Sequence, residues 1–292
     1  MDPSEINIKE PTTYEQQVKI LKERNLIIHN DEEALSFLKR VNYYRFSAYG
    51  LTLRQTSNRD LFQDEITFTH MKMLYNFDQK LRDLLMNHLE LIEIEFRSKI
   101  AYHHAHEFGS LGYRSSENFN LEGPHDSFLE ELDKQIDRSG RELFVMHHRH
   151  KYGGEFPFWV AIEVTSFGEL SKLFRNLKDD TKNKVVKDFN VPYYYVESWL
   201  HSLAYVRNVC AHYGRLYGKK LTIKPTLFKS KRSSIRNSGV FAAVYVLSKL
   251  LHQDNRTNFI TFLHALIEEY AEYVDLEELG FPEEWEKRLR EK

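Results

Sequence analysis

The sequence predicts an all-α protein, and three observations lead to this prediction. Apolar residues recur at spacings of three and four along most of the 292 residues, which is the period of an amphipathic helix. Only 12 glycines and 7 prolines are available to break helices. The longest periodic segment runs from about Thr69 to His106 and fits one long helix. We therefore expect helices nearly throughout the chain.

Two short helices and a bend are expected before the long helix. Thr12 and Glu15 have the spacing of a capping box, which predicts a helix start, and Asp31 is suited to cap the second helix. Gly50 indicates a bend, and the mostly polar residues 56–65 predict a loop.

Gly109 and Gly112 are expected to end the long helix. Residues 110–125 are predicted to form an exposed connection, either an insertion or a flexible loop. A short helix over residues 128–136 and a polar, histidine-rich stretch as far as Gly154 are expected next.

Helices are also expected in the second half of the chain. Pro157 suits the first turn of a helix, and an apolar stripe follows it as far as Phe174. The next long helix is predicted from Tyr195 to about Leu216. The remaining expectations are a short helix at 181–189, a basic irregular segment with room for one hairpin at 219–237, helices at 239–252 and 257–273, and an acidic tail.

These expectations divide the chain into three regions. The first is an N-terminal helical region, residues 1–66. The second is a helical domain, residues 67–253, with an insertion around residues 107–155. The third, residues 254–292, is a C-terminal helix with the acidic tail.

The composition excludes several classes of protein. With 41% hydrophobic and 29% charged residues, the chain is neither disordered nor of low complexity. The single cysteine, Cys210, cannot form an intramolecular disulfide or a cysteine-rich metal site. No apolar run reaches the length of a membrane helix, and the polar residues 1–11 do not resemble a secretory signal. We therefore expect a cytoplasmic protein with no membrane partner.

The charges are strongly segregated although the net charge is only −2. Residues 198–253 contain no Asp or Glu, whereas residues 268–292 contain ten acidic and four basic residues. The ten bases of the acid-free segment are Arg207, Arg215, Lys219, Lys220, Lys224, Lys229, Lys231, Arg232, Arg236 and Lys249. This segment predicts a polyanionic partner, foremost RNA or DNA. Alternatively, the acidic tail packs against the basic segment.

The acid-free segment contains Arg207, Asn208 and His212, whose types suit metal-independent RNA cleavage. An imidazole titrates near neutral pH and can take a proton from a ribose 2′-OH or give one to the leaving oxygen. A guanidinium stays charged and can bind the phosphate oxygens on which negative charge builds up.

The spacing of these residues is a weak motif by itself. On a continuous helix Asn208, His212 and Arg215 share a face, whereas Arg207 lies about 140° around the axis from His212. Its side chain must curl back, or the helix must distort, for both to reach one phosphate. A solvated Arg207 and a hydrogen-bonded His212 with no catalytic role are the alternative.

Several blocks of sequence occur in a characteristic order along the chain. The blocks are Gln16-Gln17-Val18 with Leu21; Asn42 to Tyr49; Asp78 with Leu81-Arg82; Glu93 and Glu95 with Arg97; Pro157-Phe158-Trp159 with Glu163; Ser166-Phe167-Gly168 with Leu170-Ser171; Trp199-Leu200; Arg207-Asn208 and Ala211-His212 with Arg215-Leu216; and Gly280-Phe281-Pro282 with Trp285. In these blocks the chain resembles the Abi-like abortive-infection family of bacterial phage defence (the AbiD/AbiF type), over about residues 11–286.

That family is assigned to the HEPN superfamily, whose signature is R-x4–6-H, commonly with Asn after Arg. The resemblance implies a HEPN-type helical bundle over residues 67–253 and an endoribonuclease without a cofactor. It implies that Arg207 clamps the phosphate, that His212 is the acid/base and that Asn208 orients the motif. The implied products are a 2′,3′-cyclic phosphate and a 5′-OH. It further implies a homodimer with a composite cleft, a role in phage defence and, as for some relatives, a small non-coding RNA partner.

Further residues are candidates for supporting roles. Arg215, Lys219 and Lys220 are expected to guide RNA. Glu93 and Arg97 have the i,i+4 spacing of a structural ion pair, or they face the cleft and support the site.

Two other candidates lie outside the motif. Arg45 stands among Tyr43, Tyr44 and Tyr49, where the four residues either bind RNA or pack the N-terminal helices on the core. Glu163 lies close to an apolar stripe, so a buried role facing Arg45 or Arg207 is open.

The histidine-rich segments, residues 103–106 and 147–150, lack the cysteines and paired carboxylates of a metal site, and we expect no bound metal. Trp159, Phe167, Trp199 and Cys210 are expected in the core. Two alternatives to the nuclease stay open: a catalytically silent module that holds RNA, and a helical interaction scaffold without an RNA role.

Overall fold

A computed structural model describes residues 10–291, and it confirms the all-α prediction. These residues form thirteen helices and three isolated β-bridges, and they contain no strand. No helix within them is both long and apolar enough to cross a membrane. The helices are α1 (Tyr14–Glu23), α2 (Asp31–Leu38), α3 (Tyr43–Ser47), α4 (Phe68–Phe108), α5 (Glu122–Arg138), α6 (Leu143–Lys151), α7 (Phe158–Ala161), α8 (Phe167–Asn176), α9 (Asp179–Val186), α10 (Tyr193–Ala211), α11 (Val240–Leu250), α12 (Gln253–Glu269) and α13 (Trp285–Arg290). Residues 1–9, most of the polar start discussed above, lie outside the described residues.

The 41-residue helix α4 is the element on which the others pack. The Thr67 side chain caps its first turn by accepting from His70 N, and Gly109 ends it with φ of 84°. Helices α7 to α12 all contact it. The predicted long helix and its end at Gly109 are therefore confirmed.

The N-terminal helices start one residue away from the predicted positions. Thr13 and Gln16 form the capping box of α1, instead of Thr12 and Glu15, and Asn30 caps α2 in place of Asp31. Helices α1 to α3 and the start of α4 enclose a smaller apolar core of their own.

The segment 110–125 is exposed at most of its positions, as its polar composition predicts, but three of its side chains are buried and anchor it to the core. Tyr113, Phe119 and His125 are buried, and α5 already begins at Glu122. A bridge between Phe119 and Leu177 ties this segment to the end of α8. The contacts that order it come from residues distant in sequence, which a local pattern does not reveal. The histidine-rich stretch that follows contains helix α6.

The apolar stripe after Pro157 belongs to two helices and not to one. Helix α7 ends after one turn, and Thr165 is extended before α8 begins. This break shifts the helical phase, so Trp159 is 53% exposed, against the prediction that it is in the core. Phe167 and Trp199 are fully buried as predicted.

The acidic tail covers part of the basic segment. Glu291 pairs with Lys231, and the guanidinium of Arg236 donates to the carbonyl of Glu277. The predicted hairpin in residues 219–237 is absent, since that segment contains only irregular chain and one 3-10 turn, Lys229–Lys231. The alternative reading, in which tail and basic segment pack together, thus holds for these contacts.

A buried carboxylate, Asp78 on α4, fixes the chain that follows α10. Its Oδ1 accepts from the backbone N–H groups of Leu216 (3.0 Å) and Tyr217 (2.7 Å). Its Oδ2 accepts from the hydroxyl of Tyr49 (2.7 Å) and from the guanidinium of Arg82. Buried charges are retained when they are paired and hydrogen-bonded, and Asp78 meets both conditions.

Replacing Asp78 by Asn is expected to destabilise the protein by about 3–5 kcal/mol, because Arg82 is left buried without its counter-charge. Chemical denaturation followed by far-UV circular dichroism measures this change. The exposed neighbour Asp83 provides the control, and Asp83→Asn is expected to change stability by less than about 0.5 kcal/mol. Equal stability of the two variants would contradict this account of the buried carboxylate.

His104 on α4 is expected to make the fold acid-sensitive. Its ring is buried among Phe108, Phe119 and Phe158, and neither ring nitrogen has a hydrogen-bond partner within residues 10–291. Burial lowers the pKa of His104 to about 4. As the pH falls below about 6.5 the unfolded chain binds a proton that the folded protein does not, so stability declines.

His104→Phe keeps the ring and removes the titration. Between pH 8 and pH 5 the unmodified protein is expected to lose about 2 kcal/mol more unfolding free energy than this variant. Urea unfolding at several pH values measures the difference. Parallel pH profiles for the two proteins would show that His104 is not buried in the neutral form.

Candidate functional site

The motif residues lie where helix α10 ends. Arg207 and Asn208 are in its last turn, and His212 is the C-cap, whose N–H donates to Asn208 O at 3.0 Å. The N–H groups of Tyr213 and Gly214 donate to the carbonyls of Cys210 and Val209, which is the Schellman pattern. The side chains of Asn208 and His212 are exposed.

This helix end corrects the predicted helix over residues 195–216. Tyr213 has φ of 56°, a left-handed conformation that a bulky residue rarely adopts, and the chain turns away there. Arg215 is therefore not on a helical face with Asn208 and His212. Its guanidinium lies over the ring of Tyr49, 5.9 Å from the centroid.

Glu93 on α4 lies between two arginines. Its Oε1 accepts from Arg97 Nη2 at 2.6 Å, and its Oε2 is 3.6 Å from Arg207 Nε. Arg97 Nη2 also donates to the carbonyl of Thr165, at 2.6 Å. The ion pair expected from the spacing of Glu93 and Arg97 is present, and the same carboxylate contacts the motif arginine.

The two arginines and Glu93 border a cavity of about 430 Å³ between α4 and α10. Asn87, Glu90 and further α4 residues line the rest of it. Within the described chain, His212 is not part of this lining and lies at the adjacent helix end. A pair of guanidinium groups at one cavity can bind a phosphate, because each presents several donors in a fixed plane.

The other predicted contact residues are placed as follows. Arg45 is half-buried and donates to the carbonyl of Tyr213, so it holds the turn after His212. Tyr49 is buried as the packing alternative expected, whereas Tyr44 is 85% exposed. Lys220 is exposed, and neither it nor Lys219 forms a salt bridge within residues 10–291.

Glu163 does not have the buried role considered for it. Its side chain is exposed, and it faces neither Arg45 nor Arg207. With Trp159 it lines a second cavity, of about 620 Å³, which also borders Arg97. The break between α7 and α8 that exposes Trp159 places Glu163 there too.

The histidine-rich segments do not assemble into a cluster. No group of three or more His, Cys, Asp or Glu among residues 10–291 is arranged to hold a metal ion. Cys210 is buried, as expected for a core residue.

The sequence reasoning did not assign a role to Asp78 or Arg82, which hold the chain beyond the motif. A signal for them exists, because both fall on the apolar stripe of α4 that includes Leu74, Leu81 and Leu85. Charged residues at core positions of a helix indicate a buried pair that requires partners.

The chain was compared with known proteins and protein families. No curated protein and no solved structure matches the chain. The model of a family described as Abi-like protein matches residues 36–218, more than half of the chain. The match extends from α2 to the turn beyond His212 and includes Glu93, Arg97 and Arg207. The chain belongs to the Abi-like protein family.

Proposed function

We propose that the protein is a HEPN-type endoribonuclease that acts in the cytoplasm of a bacterium during abortive infection by phage. The observation that carries the proposal is the position of Arg207. It shares Glu93 with a second arginine at the edge of a cavity and lies five residues before the exposed His212, at the end of the same helix. Membership of the Abi-like family supports a role in phage defence.

The proposed reaction is a transesterification within the RNA strand. A histidine takes the proton of a ribose 2′-OH, whose oxygen attacks the adjacent phosphorus. The bond from phosphorus to the 5′-oxygen breaks, and that oxygen receives a proton from an acid. The products are a 2′,3′-cyclic phosphate and a free 5′-OH, and Arg207 stabilises the negative charge on the phosphate oxygens in the transition state.

Glu93 acts as a positioning residue in this proposal. Its carboxylate fixes Arg97 and Arg207 from behind, and Asn208 Oδ1 accepts from Arg207 Nη1 at 3.4 Å. A guanidinium held on one side loses less side-chain freedom when phosphate binds on the other. This arrangement supports the role of Asn208 in orienting the motif.

A homodimer would complete the catalytic set. The reaction needs a base and an acid at the same phosphate, and each chain has one motif histidine, His212. Two chains that bring their α10 ends together supply two copies of His212 and two of Arg207. We therefore propose a composite cleft between two copies.

Arg45, Arg215, Lys219 and Lys220 surround the turn after His212 and are proposed to contact the RNA on either side of the cleaved bond. A regulatory small RNA would use the same basic surface. Lys220 is exposed and forms no salt bridge within residues 10–291, whereas Lys231 pairs with Glu291 of the acidic tail.

Loss of His212 is expected to slow cleavage strongly while RNA binding survives. Incubation of total RNA with the protein in EDTA, followed by mapping of the new ends, is expected to show cyclic-phosphate ends. His212→Ala is expected to lower the rate by about 10²–10⁴-fold, and Arg207→Ala by about 10²–10³-fold. His29→Ala, which removes an exposed histidine in the N-terminal region, is the matched control and is expected to retain full activity.

Two results would contradict the nuclease. Cleavage that persists in His212→Ala would show that another group does the chemistry. Intact RNA with the unmodified protein, together with a tight and salt-sensitive RNA complex, would favour a silent module that holds RNA.

The two lysines after the motif are expected to contribute to RNA binding by counterion release. Lys219→Gln with Lys220→Gln is expected to reduce the slope of log K against log salt by about 0.7 for each lysine on single-stranded RNA. Fluorescence anisotropy in a salt series measures this slope. The double variant Lys19→Gln with Lys134→Gln has the same charge change at exposed sites outside the basic segment, and an equal effect there would show that only net charge matters.

A further inference from the structure

The cavity of about 620 Å³ beside Arg97 has a different lining from the cavity of about 430 Å³ that Arg97 and Arg207 border. It lies between α4 and the segment that contains α7, and its walls include Ser98, Tyr102, Trp159 and Glu163. Its volume is in the range of cavities that hold small organic ligands. None of the residues assigned above to phosphate binding or proton transfer, except Arg97, belongs to it.

Two large aromatic side chains of this cavity are exposed. Trp159 is 53% exposed and Tyr102 is 57% exposed, whereas Phe158, beside Trp159, is fully buried. Exposed aromatic rings are the usual platforms for unpaired bases, because every base has a π-face that stacks on them.

Arg97 connects the two cavities. It lines both, and Glu93 joins it directly to Arg207. A nucleotide with its phosphate at the two arginines therefore has its base within reach of the aromatic cavity. The shared arginine therefore favours a nucleobase of the bound RNA over a separate metabolite as the ligand of this cavity.

Glu163 provides a means to read the base. It forms no hydrogen bond or salt bridge within the described part of the chain, and its carboxylate lies at the cavity wall. A carboxylate accepts hydrogen bonds and donates none. Guanine presents two adjacent donors, N1–H and the N2 amino group, whereas uracil presents one N–H between two carbonyls that repel a carboxylate.

We infer that this cavity binds an unpaired base of the RNA next to the cleaved phosphate, with the base stacked on Trp159 and read by Glu163 in favour of guanine. The inference rests on the proposed nuclease function and adds a sequence preference to it. Trp159 and Glu163 are specificity-determining residues in this account, and neither takes part in proton transfer.

Short RNAs test the inference without cleavage. The His212→Ala protein is titrated into labelled uridine hexamers that carry guanosine, inosine, adenosine or uridine at one central position. The guanosine hexamer is expected to bind at least about fivefold more tightly than the uridine hexamer, with inosine between them because it lacks the N2 amino group.

Substitutions separate stacking from reading. Adding Trp159→Ala is expected to weaken all four complexes about tenfold, and Trp159→Phe is expected to restore most of the loss. Adding Glu163→Gln is expected to remove the guanosine preference without weakening the uridine complex. The exposed aromatic Tyr194 lies outside the cavity, so Tyr194→Ala is the matched control and is expected to bind as the parent does.

A second measurement reports on Trp159 directly. The other tryptophans, Trp199 and Trp285, are 0% and 9% exposed, so acrylamide quenching of fluorescence reports mainly on Trp159. The guanosine hexamer is expected to protect it from the quencher.

The outcomes separate this inference from the proposed function. Unchanged affinity in Trp159→Ala, a guanosine preference that persists in Glu163→Gln, or no binding to any hexamer overturns the inference. The proposed function is decided independently by cleavage of total RNA by the unmodified protein. That protein can cleave without base preference, in which case the inference alone fails.

Discussion

The structure depends on one buried carboxylate, Asp78, which receives hydrogen bonds from three parts of the chain. Tyr49 comes from the N-terminal region, Arg82 from the next turn of α4, and two backbone N–H groups from the turn after α10. Without Asp78 the two backbone N–H groups would be buried without a partner, at a cost of about 1–3 kcal/mol each. The position of the chain beyond His212 is therefore fixed by hydrogen bonds in the core.

The same helix supplies the carboxylate of the candidate site. Glu93 follows Asp78 by fifteen residues, or about 22 Å along the helix axis. The single helix α4 therefore positions both the turn after His212 and the side chain of Arg207. The surroundings of the two carboxylates differ. Asp78 is fully enclosed, whereas Glu93 borders a cavity together with its two arginines, of which Arg207 is the more exposed.

The sequence predicts the features that are local. The period of α4, its glycine stop and the burial of Phe167 and Trp199 follow from spacing over a few residues. The errors arise where distant contacts decide the structure. Residues 110–125 are anchored by contacts with the end of α8, and α10 ends at Ala211 in a turn that is followed by chain bonded to Asp78 on α4. At the site, the pairing of Glu93 with Arg97 is local and was predictable. Its contact with Arg207 and the exposure of Trp159 and Glu163 depend on how helices pack.

The end of α10 has a consequence for comparing distant sequences. A Cβ atom at Gly214 would lie 2.9 Å from Val209 Cγ1 and 3.0 Å from Val209 O, so a side chain there would require Val209 or the turn to shift. The Schellman bonds fix Gly214 two residues after His212. An inserted residue between Val209 and Gly214 would break these bonds, whereas one placed before Val209 would leave them intact. The spacing from Val209 to Gly214 is therefore set by the backbone, and it marks the end of this helix when distant sequences are compared.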